Sequence, residues 1–216
     1  MDKKANLRKR TSRNRMVETR QTLLGCYYIY TDTEATEKNY FEGLRNSLPE
    51  NIRRRLKISV VKVKQEKFIN KIKQDRSYNP QLIEKYWIVF DRDEVQNFDK
   101  IITMAEKEGI EVGWSNPCFE VWMHSYFGEM PFAETSSQCC GNFEQKYKEK
   151  TNKNYKKSDN NIYNSLVTAC DETRAINIAE RKYQQLKTDC NNIPSNMKSC
   201  TTVFKLVKDI KSKVDK

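Results

Sequence analysis

The segment Tyr86-Trp87-Ile88-Val89-Phe90-Asp91-Arg92-Asp93-Glu94 decides the fold. Five large uncharged residues ending abruptly in three carboxylates describe a strand buried on both faces that delivers its acids where the sheet stops. Open α/β sheets bind their ligands at that edge, outside the carboxyl ends of the strands. Beyond a strand end the side chains no longer alternate, so Asp91 and Asp93 can turn toward one hard cation. An isolated Asp-x-Asp could equally cap a helix and solvate a turn. Here two other strand ends also finish in polar clusters.

Upstream, Leu23 to Tyr30 reads as a first strand ending in Thr31-Asp32-Thr33-Glu34. A helix is expected over 34–48, with Tyr40, Phe41 and Leu44 at helical spacing and Pro49 closing it. The early acids Asp32, Glu34 and Glu37 also suit a helix N-terminus, which favours negative charge. Leu56 to Val63 alternates apolar and basic residues and reads as a second strand with one wet, positive face; Lys62 and Lys64 stand at its end. Gln65 to Lys73 is expected as a short basic helix, and Asn79-Pro80 breaks the chain before the strand quoted above.

Downstream, Phe98, Ile101, Ile102 and Ala105 form a helical stripe stopped by Gly109. Ile110 to Trp114 is the next strand. It runs into Ser115-Asn116-Pro117, where Asn116 is expected as a cap and Pro117 as the first residue of a helix carrying Glu120, with Phe119, Val121, Trp122 and Tyr126 as its apolar face. Strand and helix alternate four times, which implies an α/β fold: a mainly parallel sheet with helices on both faces. The expected organisation is a flexible basic arm over 1–20, an α/β core over 21–130 and a helical C-terminal portion over 131–216 packed on it. Helical patterns lie at Ile162 to Cys170, Arg174 to Cys190 and Thr202 to Val214, and the Lys- and Asn-rich stretch from Gln138 to Lys157 reads as a mobile segment.

Charge bounds the partners. The 216 residues hold 40 Lys and Arg against 29 Asp and Glu, a net +11, which favours a polyanion, with nucleic acid ahead of a membrane surface. Arg8, Lys9 and Arg10 in the arm, with Lys62 and Lys64, are the expected phosphate contacts. No apolar run approaches the roughly 20 residues needed to cross a bilayer, so no membrane role and a cytoplasmic location are expected. Seven cysteines without C-x-x-C spacing read as free thiols, Cys139 and Cys140 among them in a loop. One histidine, His124, in an apolar helical stretch supports neither a zinc site nor a nucleophile with a histidine base.

Parallel strands built by right-handed crossovers point the same way, so their carboxyl ends share one edge. Asp32 and Glu34, Asp91 and Asp93, and Asn116 and Glu120 should therefore converge. Clustered acids repel one another unless a cation sits among them, and oxygen donors favour Mg²⁺ or Mn²⁺ over zinc. An acidic metal pocket in a basic protein points to phosphodiester chemistry.

The segments Thr31-Asp32-Thr-Glu-Ala-Thr-Glu37-Lys-Asn-Tyr-Phe41, Val89-Phe-Asp-Arg-Asp-Glu94 and Trp114-Ser-Asn-Pro-Cys-Phe-Glu120-Val-Trp122 resemble the signature segments of the RloB-like proteins, whose core is similar to a toprim domain. The likeness continues at Tyr155-Lys-Lys, Ala175-Ile-Asn-Ile-Ala179 and Thr201-Thr-Val-Phe-Lys-Leu-Val207, covering nearly everything after the arm. The resemblance implies a toprim-like sheet, a divalent-metal site with Asp91 and Asp93 as its pair, and a role in bacterial defence against phage beside an ATPase partner. By position the acid after the first strand falls on Asp32, where the family pattern has glutamate; the shorter side chain leaves Glu34 or Glu37 as alternatives for the acid that completes the shell or moves a proton. A histidine common in the family is replaced by Tyr126. The expected activity is a metal-dependent nuclease acting on RNA, tRNA included, or DNA, with Arg92, Asn116 and Glu120 in supporting roles. The alternative is a catalytically inactive module that binds nucleic acid or an ATPase.

Overall fold

The computed structural model describes residues 24–33, 35–78, 84–93 and 95–214. The basic arm with Arg8, Lys9 and Arg10, and the acids Glu34 and Glu94, lie outside the described residues. A five-stranded sheet in the order β2-β1-β3-β4-β5 forms the centre, from β1 (Gly25–Thr31), β2 (Leu56–Lys62), β3 (Glu84–Asp91), β4 (Glu111–Asn116) and β5 (Cys200–Thr201). The first four strands are parallel, as the alternation predicts, and β5 is a two-residue antiparallel addition that sequence reading did not contain.

Between the strands run α1 (Thr36–Ser47), α2 (Glu50–Arg55), α3 (Phe68–Tyr78) and α4 (Phe98–Lys107). After β4 come α5 (Glu120–His124), α6 (Ser136–Thr151), α7 (Ile162–Ala169), α8 (Glu172–Asp189) and, following β5, α9 (Val203–Lys211). Among the described residues no helix is long and apolar enough to cross a membrane.

Both faces of the sheet are covered, and the tyrosines of β1 show how. Tyr27 and Tyr30 are an odd number of residues apart, so they leave the strand on opposite faces. The Tyr27 hydroxyl donates to Asp209 of α9 at 2.8 Å, while Tyr30 donates to Asp75 of α3 at 2.6 Å. Phe90 of β3 packs at a tilt against Phe68 of α3 and Phe98 of α4 on the Tyr30 side. Tyr86 to Phe90 are all buried, so the uninterrupted apolar run is what a strand with helices above and below requires.

Two glycines let helices come close. A Cβ on Gly113 of β4 would stand 3.5 Å from the Cα of Val203, so α9 lies directly on the strand. A Cβ on Gly43 of α1 would stand 2.5 Å from the Cβ of Tyr163, so α1 and α7 touch nearly backbone to backbone.

Two expectations are corrected. The stretch from Gln138 to Lys157 is not a mobile segment: its first half lies in α6, held by a capping box between Thr135 and Gln138 and by the buried Cys139, Phe143 and Tyr147, spaced four apart. Cys139 and Cys140 are therefore helical. Nor is Asn116 a helix cap. It is the last residue of β4, followed by a cis bond to Pro117, and its amide donates at 3.1 Å to the carbonyls of Pro194 and Ser195.

Candidate functional site

The strand order reverses between β1 and β3: from β1 the chain passes outward to β2, then crosses back to β3 on the other side. A crevice opens at such a reversal, at the carboxyl ends of the strands. Asp32 follows β1, Glu37 lies in the first turn of α1, Asp91 ends β3, and Glu120 opens α5.

Glu37 and Glu120 are 2% and 1% exposed, which for carboxylates demands partners. Glu37 accepts a hydrogen bond from the Thr33 hydroxyl. Glu120 accepts one from Tyr155 at 2.8 Å and pairs with Lys157 at 3.5 Å. Asp32 accepts from the Gln65 side-chain amide through one oxygen; its Oδ1 is buried without a partner. Asp91 likewise keeps Oδ1 buried and unpartnered.

These acids act on one another. Burial pushes the Asp91 carboxyl well above the usual range, and Glu37, Glu120 and Asp32 push it further. Glu37 is raised to about 7, first by burial and then by Asp32 and Glu120. Asp32 is raised by burial, against its Gln65 hydrogen bond and with help from Asp93. Among the described residues, none of Asp32, Glu37 and Asp91 forms an ion pair with Lys or Arg; Lys157, nearby, is bound to Glu120.

The Asp-x-Asp pair divides. Asp91 faces the buried acids, whereas Asp93 is exposed and accepts from Ser136 of α6 at 2.7 Å. The division follows from backbone pairing that continues past the strand: Arg92 N–H donates to Ser115 at 2.8 Å and Asp93 N–H to Pro117 at 3.0 Å. Asp93 is thereby held at φ 24°, a conformation that aspartate tolerates better than most residues. Arg92, between them, makes no ion pair among the described residues, and its Nε is buried without a partner. Asn116 is fully buried with Oδ1 unpartnered, behind the site.

Lys62 and Lys64 are exposed at the same sheet edge, where Val63 N–H donates to the Thr31 carbonyl at 2.8 Å, next to Asp32. His124 stays structural: its Nδ1 lies 3.1 Å from the Gly128 carbonyl, and burial holds its pKa below the ordinary value.

Sequence reasoning missed a group around Glu120. The donor atoms of Cys118, Glu120 and Cys140 all lie within 4.8 Å of one another, an arrangement able to hold a metal ion. Hydrogen bonding with Cys139 and burial push the Cys118 thiol up; bonding with Cys118 and burial do the same for Cys140. Burial works against the charge of Lys157, but the Glu120 carboxylate beside it raises its pKa above the ordinary value. Tyr155 and Lys157 lie in one of the segments that carry the family resemblance, so a signal for them existed; Cys140 had none.

Asp32, Glu37 and Asp91 offer only oxygen, and Asp32 and Asp91 each keep a buried oxygen without a partner, but among the described residues the group whose donor atoms meet within 4.8 Å is Cys118, Glu120 and Cys140, so a hard ion would have to draw these acids closer together.

A family model described as RloB-like protein matches residues 27–210. No curated protein and no solved structure matches the chain. The match spans most of the sequence, and the chain belongs to the RloB-like family.

Proposed function

We propose that this RloB-like chain is a divalent-metal-dependent nuclease, hydrolysing phosphodiester bonds of RNA, possible tRNA targets included, or of DNA, as an effector of defence against phage. One observation carries the reading: carboxylates following β1, β3 and β4 lie near enough to repel one another while Asp91 Oδ1 and Asp32 Oδ1 lack partners. A buried acceptor left unsatisfied costs about 1–3 kcal/mol, more when charged, so such an arrangement supports a site completed by an external cation.

Asp91, Asp32 and Glu37 would hold Mg²⁺ or Mn²⁺, with Glu120 beside them. When bound, such an ion supplies positive charge to a phosphoryl oxygen and Lewis acidity toward water. The rest falls to side chains. Lys62 and Lys64 draw a phosphate backbone to the edge where the acids lie. Glu37, raised to about 7 by burial and the acids around it, would release its proton as the ion binds and so serve as a carboxylate ligand at neutral pH. Arg92, which makes no ion pair among the described residues, can offer its guanidinium to a phosphate. Acids after the first and third strands of a parallel sheet support the toprim-like reading that accompanies the resemblance, and that resemblance also supports an ATPase partner.

A second reading has an observation in its favour. Asp32 stands where the family pattern has glutamate, and Gln65 already engages one of its oxygens. A chain that binds nucleic acid without turnover would tolerate both. The two separate when purified protein with Mg²⁺ or Mn²⁺ is offered a panel of RNA, tRNA and DNA. Cleavage that Asp91→Ala abolishes, with folding and salt-sensitive binding intact, is the expected result. Binding without cleavage across the panel would leave the inactive module.

A further inference from the structure

We propose that Cys118, Cys140 and Glu120 form a second metal site, for a thiophilic ion of the zinc class, separate from the all-oxygen pocket and joined to it through Glu120. The inference stands on its own donors and does not require that the chain be a nuclease.

The three donor atoms lie within 4.8 Å of one another. Ligands at about 2.0–2.3 Å from a tetrahedral ion stand roughly 3.3–3.8 Å apart, so the site closes around an ion with movements of about an ångström. Thiolates select zinc-class ions, whereas Mg²⁺ prefers oxygen, so the two sites differ in chemistry as well as position. Cys118 and Glu120 are buried on the turn after β4 and the start of α5; Cys140 sits on α6 and is only partly buried, which leaves an approach for the ion.

The surroundings are those of a ligand set already oriented. Tyr155 donates to Glu120 Oε1 at 2.8 Å, fixing that carboxylate as outer-shell partners of zinc ligands do. Lys157, 3.5 Å from the same oxygen, supplies the compensating charge without an ion; its side chain is 61% exposed, so it can swing into solvent when the ion arrives. Both thiols then release their protons to solvent, and no electron is transferred. Three protein ligands leave a fourth position open, the pattern of zinc sites that bind water or substrate. The ion brings two positive charges as two thiol protons leave, so the net charge is unchanged, and Glu120, which also acts on Asp91 and Glu37, links this site to the acid pocket. It also ties α6 to the turn after β4.

The test is a titration of the reduced, metal-free full chain with Co²⁺ and Cd²⁺, read by sulfur-to-metal charge-transfer absorbance, with Zn²⁺ as competitor. A band that Zn²⁺ displaces is expected. Cys118→Ser and Cys140→Ser should each weaken binding more than about tenfold, since even outer-shell partners contribute that much; Cys26→Ser and Cys190→Ser should not. Lys157→Ala should tighten it. Asp91→Asn should keep the band while losing Mn²⁺, which distinguishes failure of this site from failure of the acid pocket. If the serine variants do not fold, protection of Cys118 and Cys140 from alkylation by Zn²⁺ in the wild-type chain gives the same answer. Absence of a thiolate band, or absence of that protection, overturns the proposal.

Discussion

Two partly buried acids of this molecule are treated in opposite ways. Glu172, at the start of α8, accepts from Tyr126 at 2.8 Å and Tyr40 at 3.4 Å and pairs with Lys211 of α9 at 2.6 Å. Asp91 has an orphaned oxygen, and its strongest charged neighbours are other acids. The protein compensates the first charge internally and leaves the second uncompensated. A fold that can neutralise a buried carboxylate in one place and does not do so in another has a reason to keep the second available. Tyr126 takes part in this contrast: where the resemblance would put a histidine, the chain has a hydroxyl that serves the compensated acid.

The contrast predicts opposite responses to the same kinds of perturbation. The largest concerns pH. Folded Glu37 keeps its proton up to about 7, against an ordinary value of 4.5. Between those values the unfolded chain releases a proton that the folded chain retains, so metal-free stability should fall as pH rises from 4.5 to 7 and level off above. The loss from this group is on the order of 3 kcal/mol. Denaturant titrations at several pH values should show it, and Mn²⁺ should cancel it; a flat profile without metal would remove the idea that the pocket is under electrostatic load. Next, Glu172→Ala should destabilise by about 2–3 kcal/mol, because Lys211 and two hydroxyls lose their partner, the cost being moderated by the partial exposure of Lys211. Tyr126→Phe should cost about 1.5 kcal/mol, the value of a hydrogen bond to a charged acceptor. The smallest effect has the opposite sign. Asp91→Asn should stabilise the metal-free chain at pH 8 by about 1 kcal/mol, by removing one member of a repelling set, and should abolish the protection given by Mn²⁺. Destabilisation there would mean that Asp91 is compensated after all.

Much of this was legible in residue order. The uncharged run Tyr86 to Phe90 reads as a strand with both faces covered, and the alternation around it specified the parallel core and the common edge for the acids. What stayed hidden depends on contacts distant in sequence. Whether Asp91 or Asp93 turns inward is set by hydrogen bonds from Arg92 to Ser115 of β4 and from Asp93 to Pro117 just beyond it, which no local pattern encodes. Glu120 read as a helix-start acid because its neighbours Tyr155, Lys157 and Cys140 are brought to it only by α6 and the loop that follows. The helical character of α6 was masked by its lysines, although Thr135-x-x-Gln138 and the spacing of Cys139, Phe143 and Tyr147 marked it. β5 is too short to carry a pattern of its own.

The missing side chain at Gly43 reaches further than packing. The helix it belongs to bears Glu37 at its other end, so the seat of that carboxyl is adjusted by α7, more than a hundred residues later in the chain. Adding a single methyl group there would lever the acid away from its companions without touching any of them, making α7 a brace for chemistry it does not itself contain.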